Sequence, residues 1–231
     1  MEVKGLTKTF GSLYALKNVN LKVKQGEFVT IFGPNGAGKT TLIKILSTIT
    51  RASSGEISIG GFSLEKEPER IRRQIGVMGH QTFLYEELTA EENLRFYGKL
   101  YDVGNIDVKI AKTISEVGLE LRRKDRVRTF SRGMQQRLSI ARAMLHDPAV
   151  LLLDEPYTGL DQHASEMLSG WLKALRSKQR TILMVTHDLE QGIDLADRVA
   201  IINKGQIVFE EERSAIDPQK FRETYFNYVA K

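Results

Sequence analysis

The feature that most limits the fold of this chain is a glycine-rich segment, Gly33-Pro-Asn-Gly-Ala-Gly-Lys-Thr-Thr41. It follows the apolar run Phe28–Phe32, which predicts a strand, and it leads into a helical run from Lys39 to about Ile49. Glycines let the backbone curl so that successive N–H groups point at phosphate oxygens, and the helix start adds the positive end of its dipole. This strand–loop–helix unit predicts a phosphate-binding loop for ATP or GTP.

All residues of this loop are candidates for nucleotide binding. We expect Lys39 to reach the β- and γ-phosphates and the hydroxyl of Thr40 to ligate Mg²⁺. The alternative is a flexible glycine turn, which the strand before it and the helix after it disfavour. The candidates are Gly33, Pro34, Asn35, Gly36, Ala37, Gly38, Lys39, Thr40 and Thr41.

Two adjacent carboxylates, Asp154 and Glu155, end a second apolar run that begins at Val150. In α/β proteins the ligand lies beyond the carboxyl ends of such strands, which predicts that Asp154 lies near a phosphate-bound metal. We expect Asp154 to hold Mg²⁺, directly or through water, and Glu155 to polarise the attacking water as general base. Taken alone, the pair could be solvated acids at a strand end; the phosphate loop favours the catalytic interpretation.

The order of the elements predicts an α/β protein with a phosphate-loop core. Alternating residues in the first 32 positions predict an antiparallel β part, and short buried strands separated by helical spacers predict a largely parallel sheet covered on both faces. A capping-box pattern at Thr89 and Glu92 opens an inserted helical region. The buried strands are expected at Ile75–Gly79, Val150–Leu153, Thr181–Val185 and Val199–Ile202, and a final helix from about Arg213 to Val229.

We expect one domain over residues 1–231, with a catalytic core at about 1–86 and 146–231 and a helical subdomain at about 87–145. The chain has no cysteine, which excludes disulfides and thiolate chemistry. No apolar run approaches the roughly 18 residues of a membrane span, and the first residues lack a signal-peptide pattern, so a cytosolic protein is expected. The net charge is +5, but the 34 basic residues are scattered among 29 acidic ones, and we expect no nucleic-acid partner.

The segment Thr129–Ala143 distinguishes this chain from other phosphate-loop proteins such as kinases and GTPases. It reads Thr-Phe-Ser-Arg-Gly-Met-Gln-Gln-Arg-Leu-Ser-Ile-Ala-Arg-Ala, and Ser131 is expected to cap a helix there. The segment resembles the signature of ATP-binding-cassette (ABC) proteins, usually written L-S-G-G-Q and followed by Q-R-x-x-x-A-R-A. The resemblance implies that these residues grip the γ-phosphate of ATP bound to another subunit. The candidates are Ser131, Arg132, Gly133 and Met134.

Two of these residues depart from the ABC pattern. Arg132 and Met134 replace the usual glycine and glutamine, whereas Ser131 and Gly133 remain, and γ-phosphate capture is expected to survive. The long side chain of Arg132 must either point away from the phosphate pocket or pair with it.

Four further residues match ABC landmarks in the expected order. The resemblance implies that Gln81 senses Mg²⁺ and connects to the helical region, and that Asp161 helps to organise a dimer interface. It implies that His187 contacts the γ-phosphate and that Phe10 stacks on adenine. The alternatives are a structural histidine and a core aromatic at a strand edge.

The resemblance implies an ATPase subunit of a transporter, which uses ATP and Mg²⁺ and works as a homodimer or as one half of a pseudo-dimer. Separate integral membrane permease subunits would form the transport path and contact this chain around Gln81–Leu88. The chain would then lie at the cytoplasmic face of the cell membrane.

Gly79-His-Gln81 and Leu88–Tyr97 resemble the haem exporter of cytochrome c maturation, and the general plan resembles export ATPases for drugs, lipids or polysaccharides. A binding-protein-dependent importer is a less favoured alternative. A non-transport ABC ATPase acting on ribosomes or nucleic acid, and a phosphate-loop kinase or GTPase, are alternatives from other classes. Asn203-Lys-Gly-Gln206 lacks the aspartate of the guanine-reading motif, and we interpret it as the turn between two strands.

Overall fold

Two β-sheets form the framework of the protein, which the computed structural model describes over residues 1–79, 81–177 and 180–230. The first sheet is antiparallel and comes from the N-terminal part of the chain. Its strands, in spatial order, are β2 (Leu13–Lys22), β1 (Glu2–Phe10), β4 (Ser54–Ile59) and β5 (Phe62–Ser63).

The second sheet is parallel except for one antiparallel strand at its edge. Three of its central strands are buried at every residue, which explains why their sequences are nearly continuous apolar runs. In spatial order the strands are β10 (Gln206–Glu212), β9 (Arg198–Asn203), β3 (Phe28–Phe32), β8 (Thr181–Thr186), β7 (Val150–Asp154) and β6 (Ile75–Met78).

Eight α-helices are described, and most of them cover the two faces of the parallel sheet. A three-residue 3₁₀ turn lies at each of Glu120–Arg122, Val127–Thr129 and Arg213–Ala215. Within the described ranges, no helix is both long enough and apolar enough to pass through a bilayer. The helices are α1 (Lys39–Leu46), α2 (Pro68–Gln74), α3 (Ala90–Leu100), α4 (Ile106–Glu116), α5 (Arg132–Met144), α6 (Gln162–Ser177), α7 (Leu189–Leu195) and α8 (Pro218–Val229).

The parallel sheet divides the core because alternate residues of each strand point to opposite faces. In β7, Val150 and Leu152 pack in a cluster with α1 and the antiparallel sheet. Leu151 and Leu153 pack in a second cluster with residues of α3, α4 and α5. The parallel sheet therefore lies between these two clusters of side chains.

Both predicted helix caps are present. Thr89 caps α3: its side chain accepts a hydrogen bond from the N–H of Glu92, whose carboxylate accepts one from the N–H of Thr89 at 2.8 Å. Ser131 caps α5, with its hydroxyl oxygen accepting from the N–H of Met134 at 3.3 Å. The turn predicted at 203–206 is also confirmed, since it joins β9 to β10 with Lys204 and Gly205 at positive φ.

Two predicted helix boundaries are wrong. Helix α1 ends at Leu46 rather than near Ile49, because Thr48 adopts a left-handed conformation with φ of 63°. The last helix begins at Pro218 rather than at Arg213. A residue before proline disfavours the helical region, so Asp217 is extended and caps α8 by accepting from the N–H of Gln219.

Candidate active site

A cleft of about 780 Å³ lies at the carboxyl ends of β3, β7 and β8 and extends to the antiparallel sheet. Gly38, the residue before α1, has φ of 105°, and a Cβ there would lie 2.5 Å from the carbonyl oxygen of Ala15, so only glycine fits. Most of the residues predicted to bind nucleotide or metal within one chain line this cleft: Phe10, Pro34, Asn35, Gly36, Ala37, Gly38, Lys39, Thr40, Thr41, Gln81, Asp154, Glu155 and His187.

Lys39 lies at the centre of the phosphate loop and is only 6% exposed. Its ammonium donates to the carbonyl oxygens of Gly33 at 2.6 Å and Pro34 at 3.2 Å. It also forms an ion pair with Oε1 of Glu155 at 3.3 Å. A buried ammonium is costly unless it is paired, and these contacts hold the charge at the place where phosphates would enter.

Thr40 and Asp154 meet across the floor of the cleft. The hydroxyl of Thr40 donates to Oδ1 of Asp154 at 3.1 Å, and Asp154 is 4% exposed. A hydroxyl and a carboxylate oxygen are hard ligands of the kind that Mg²⁺ prefers, so the two residues fit a magnesium ion. In the described part of the chain, no group of three or more histidine, aspartate or glutamate residues could hold a metal.

Glu155 follows β7 directly and has a left-handed backbone with φ of 51°. Its N–H donates to the carbonyl of Val185 at 2.9 Å, which extends the β7–β8 pairing by one residue. Strained conformations of this kind persist only where the surrounding structure holds them, and they cluster at functional sites. Here the left-handed backbone places the carboxylate of Glu155 against the end of β8.

Three donors converge on Oε2 of Glu155. The hydroxyl of Thr186 lies 3.0 Å away, the N–H of His187 3.2 Å, and Nδ1 of His187 2.8 Å. The predicted general base and the histidine that is expected to contact the γ-phosphate are therefore neighbours. Sequence reasoning missed Thr186, although its position between the last apolar residue of β8 and His187 was a signal.

The outer end of the cleft is lined by exposed aromatic side chains. Phe10, at the end of β1, is 53% exposed, which argues against a core aromatic. Tyr14 pairs with Thr9 across the β1–β2 hairpin and is equally exposed in the same lining. Sequence reasoning missed Tyr14; its place opposite the end of β1 in the alternating strands was the available signal.

The predicted signature residues are not brought to this cleft. Among the residues that the structure describes, Ser131, Arg132, Gly133 and Met134 are absent from the cleft lining. They form the start of α5, where Ser131 and Arg132 are exposed. Within one chain, Ser131, Gly133 and Met134 thus lie outside the cleft that contains the phosphate loop.

The exposed side chain of Arg132 lies against a loop of its own chain. Its guanidinium lies against Gly159, where an added Cβ would be 2.8 Å from the Cζ atom of Arg132. It also lines a smaller cavity of about 340 Å³ together with Gln81 and Glu155. Nearby, the carboxylate of Asp161 accepts from the N–H of Ala164 at 2.8 Å and so caps the start of α6.

A buried arginine supports the loop that carries Gln81. Arg142, 6% exposed on α5, donates to the carbonyl of Val77 at 2.7 Å and lies 5.6 Å from the ring of Phe83 and 5.2 Å from that of Tyr97. Burial lowers the pKa of this guanidinium. The hydroxyl of Tyr97 donates to the carbonyl of Phe83. Sequence reasoning assigned no role to Arg142, because nothing local signals that it reaches across to β6.

The phosphate loop, the carboxylates beyond β7 and the histidine beyond β8 define a nucleotide-binding α/β protein of the phosphate-loop class. The family model of the ABC transporter matches residues 16–158. The chain belongs to this family, and it is an ABC ATPase.

Characterised relatives and solved structures agree with this assignment. The chain is 36% identical over 220 residues to the ABC transporter ATP-binding protein NatA of Bacillus subtilis (strain 168), covering 93% of this chain and 88% of NatA. It is 34% identical over 210 residues to the linearmycin resistance ATP-binding protein LnrL of the same strain, covering 90% and 68%. The dimeric post-hydrolysis structure of the ATP-binding cassette MJ0796, bound to ADP and Pi, superposes with a TM-score of 0.86 at 31% identity, covering 93% and 99%. The predicted fold class is confirmed.

Proposed function

We propose that this chain is the ATP-hydrolysing subunit of an ABC exporter, and that two such subunits close around ATP to drive transport. The observation that carries the proposal is the separation of the two phosphate-binding surfaces. The cleft contains the loop at 33–41, Asp154, Glu155 and His187, whereas Ser131 and Gly133 lie outside it. A second subunit in two-fold, head-to-tail arrangement supplies the missing surface.

Within one subunit, ATP binding exchanges the partners of Lys39. In this structure, its ammonium donates to two loop carbonyls and pairs with Oε1 of Glu155. The β- and γ-phosphates carry more negative charge than one carboxylate, and they draw Lys39 away from Glu155. Oε1 then becomes available to accept a proton from the attacking water, and Glu155 acts as general base.

Mg²⁺ belongs to the same site. Thr40 and Asp154 would hold it, and Gln81 lines the same cleft and would approach it from the opposite wall. When bound, the ion neutralises negative charge on the phosphates. Phe10 supplies a flat apolar face for adenine, and His187, 59% exposed at its side chain, would exchange its contact with Glu155 for one with the γ-phosphate.

The partner subunit contributes the start of its α5. Ser131, Gly133 and the free N–H groups of the first turn form an anion site of the kind that a helix N-terminus provides. Arg132 and Met134 belong to the same surface, and Asp161 holds the neighbouring start of α6. Loss of the γ-phosphate removes this contact, and the dimer opens.

In this proposal the subunit has two parts, the helical region at about 87–145 and the core at 1–86 and 146–231. Between them, Phe83, Tyr85 and Phe96 are exposed aromatics, with Tyr85 and Phe96 packed edge to face at 4.9 Å. An exposed aromatic cluster next to Gln81 suits a membrane permease, whose contact we place at Gln81–Leu88. The subunit would thus sit at the cytoplasmic face of the membrane.

The similarity to LnrL, a linearmycin resistance ATP-binding protein, supports export of a toxic small molecule as the favoured direction and cargo class. Haem as cargo has no support among the relatives reported above and stays a prediction. It depended partly on Gly79-His-Gln81, in which the histidine lies outside the described residues. A non-transport role on ribosomes or nucleic acid is the alternative that the following experiment separates.

The test is a mild-detergent purification of tagged Glu155→Gln protein from its native membranes with ATP and Mg²⁺, compared with Lys39→Ala as a control with weakened nucleotide binding. We expect a polytopic membrane protein to co-purify with Glu155→Gln only. Its transport of drugs or of haem in vesicles then identifies the cargo. Recovery of ribosomes or nucleic acid instead of a membrane protein would refute the transport proposal.

A further inference from the structure

Thr186 places one hydroxyl group directly against the carboxylate of Glu155. The residue ends β8 and is 1% exposed. Its Oγ1 lies 3.0 Å from Oε2 of Glu155 and 3.1 Å from the backbone nitrogen of Asp188. The N–H of Asp188 can only donate, so Oγ1 accepts there and keeps its own proton to donate to the carboxylate. The hydrogen-bond direction is thereby fixed.

The hydroxyl is not needed for packing, and the side-chain cap of α7 comes from another residue. The methyl group of Thr186 faces α7, where a Cβ added at Gly192 would lie 3.0 Å from it, so this group fills the space under the helix. Asp188 itself caps α7 by accepting from the N–H of Gln191 at 3.0 Å. Valine would keep a methyl group in this place but would remove the hydrogen bonds to Oε2 of Glu155 and from the N–H of Asp188, so packing alone does not account for the hydroxyl.

The donors around Glu155 fall into two groups. Lys39 and the imidazole of His187 are side chains that the proposed mechanism turns toward the phosphates of ATP. The hydroxyl of Thr186 and the backbone N–H of His187 are fixed by β8 and α7, and both donate to Oε2. Oε1, by contrast, pairs with Lys39.

We propose that Thr186 is a positioning residue for hydrolysis, which holds Oε2 of Glu155 so that Oε1 faces the attacking water once Lys39 has moved to the phosphates. This inference rests on the proposed role of Glu155 as general base. The water donates its proton to Oε1 while its oxygen attacks the γ-phosphorus and the bond to the β-phosphate oxygen breaks. Thr186 takes no part in that transfer; it fixes the direction of the acceptor.

The experiment compares Thr186→Val with Thr186→Ser in the purified full-length chain. Steady-state ATP hydrolysis is measured with Mg²⁺, at a protein concentration where the rate per chain no longer rises. We expect the valine variant to lose about tenfold to a hundredfold in kcat, as for a lost hydrogen bond to a charged group, with KM for ATP changed less than about twofold. The serine variant should recover at least half of the wild-type kcat, because it restores the hydroxyl.

Wild-type kcat in Thr186→Val, or a serine variant as slow as the valine variant, would overturn the proposal. A raised KM at unchanged kcat would also overturn it, since that pattern indicates a role in ground-state binding. If the valine variant melts well below the wild type, Thr186→Ala replaces it, and alanine against serine tests the same hydroxyl. Glu155→Gln, measured in parallel, distinguishes failure of the general base from failure of the positioning role. Wild-type turnover in Glu155→Gln would refute the general base itself. An inactive Glu155→Gln beside a fully active Thr186→Val would refute only the positioning role.

Discussion

The loop at 33–41 and the start of α5 both present backbone N–H groups at the N-terminus of a helix, but they differ in how far the chain completes them. In the loop, Lys39 is almost fully buried and paired with Glu155, and beside it the equally buried Asp154 of β7 accepts from Thr40. At α5, Ser131 is exposed and its hydroxyl serves only to cap the helix.

This difference indicates that the two surfaces would bind phosphate in different ways. A buried set of paired charges is preorganised and needs only to exchange partners when phosphate arrives. An exposed helix start gains little from phosphate in water, and it becomes effective when a second subunit excludes solvent around it. The following experiments therefore predict defects of different kinds for the two surfaces.

The largest effect is expected from Glu155→Gln, which removes the proposed base but keeps the shape of the side chain. Turnover should fall about a thousandfold, within the range that general base catalysis contributes. Phosphate release measures the turnover. ATP binding and ATP-dependent dimerisation should persist, and light scattering measures the dimer. Glu166→Gln, an exposed change on α6, is the matched control, and equal turnover in the two variants would remove Glu155 from the mechanism.

Lys39→Ala should weaken ATP binding by about a hundredfold, because it removes a charge-assisted contact and leaves Glu155 without its cation. Equilibrium titration with a fluorescent ATP analogue measures this directly. Lys112→Ala, an exposed change on α4, should bind as the wild type does. Unchanged affinity in Lys39→Ala would contradict the phosphate-loop assignment.

Ser131→Ala should leave ATP binding by the single chain intact and weaken the ATP-dependent dimer about tenfold. The loss combines a missing cap, worth about 1 kcal/mol, with the contact to the partner's phosphate. The measurement is dimer dissociation by light scattering in the Glu155→Gln background, with Ser115→Ala as control. If Ser131→Ala reduced nucleotide binding by the monomer as Lys39→Ala does, the two surfaces would not be separate.

The smallest effect concerns the helices that hold α5 in place. The hydrogen bond from Arg123, together with one from Arg95, lowers the pKa of Glu91 from 4.5 to about 2. The stabilisation from this carboxylate is complete above its unfolded value of about 4.5 and is lost as the pH falls toward 2. Between pH 5 and 3, the wild type should lose about 1 kcal/mol of unfolding free energy that Glu91→Gln does not lose.

Denaturant unfolding at both pH values measures this difference. Glu116→Gln, which removes a weak exposed pair with Lys112 at 3.9 Å, is the control and should follow the wild type. An identical pH dependence in Glu91→Gln and the wild type would show that the Arg123 contact does not stabilise the fold.

Several elements were predictable because their causes are local. The glycines at 36 and 38 fix the backbone of the phosphate loop, and the apolar runs fix buried strands. The capping residues at 89 and 131 were predicted for the same reason. The start of α8 was predicted wrongly, because Pro218 disfavours the helical conformation of the residue before it.

The class of site could be predicted from the sequence alone, since the phosphate loop, the two carboxylates and the histidine occur in a recognisable order along the chain. Three contacts around the site could be seen only in the tertiary structure: Thr186 on Oε2 of Glu155, Arg142 behind the loop of Gln81, and Arg132 against Gly159. Each of these pairs is separated by more than 20 residues and depends on how strands and helices pack. Local periodicity specifies the face of an element, whereas the partner across the interface is set by packing geometry that no short segment contains.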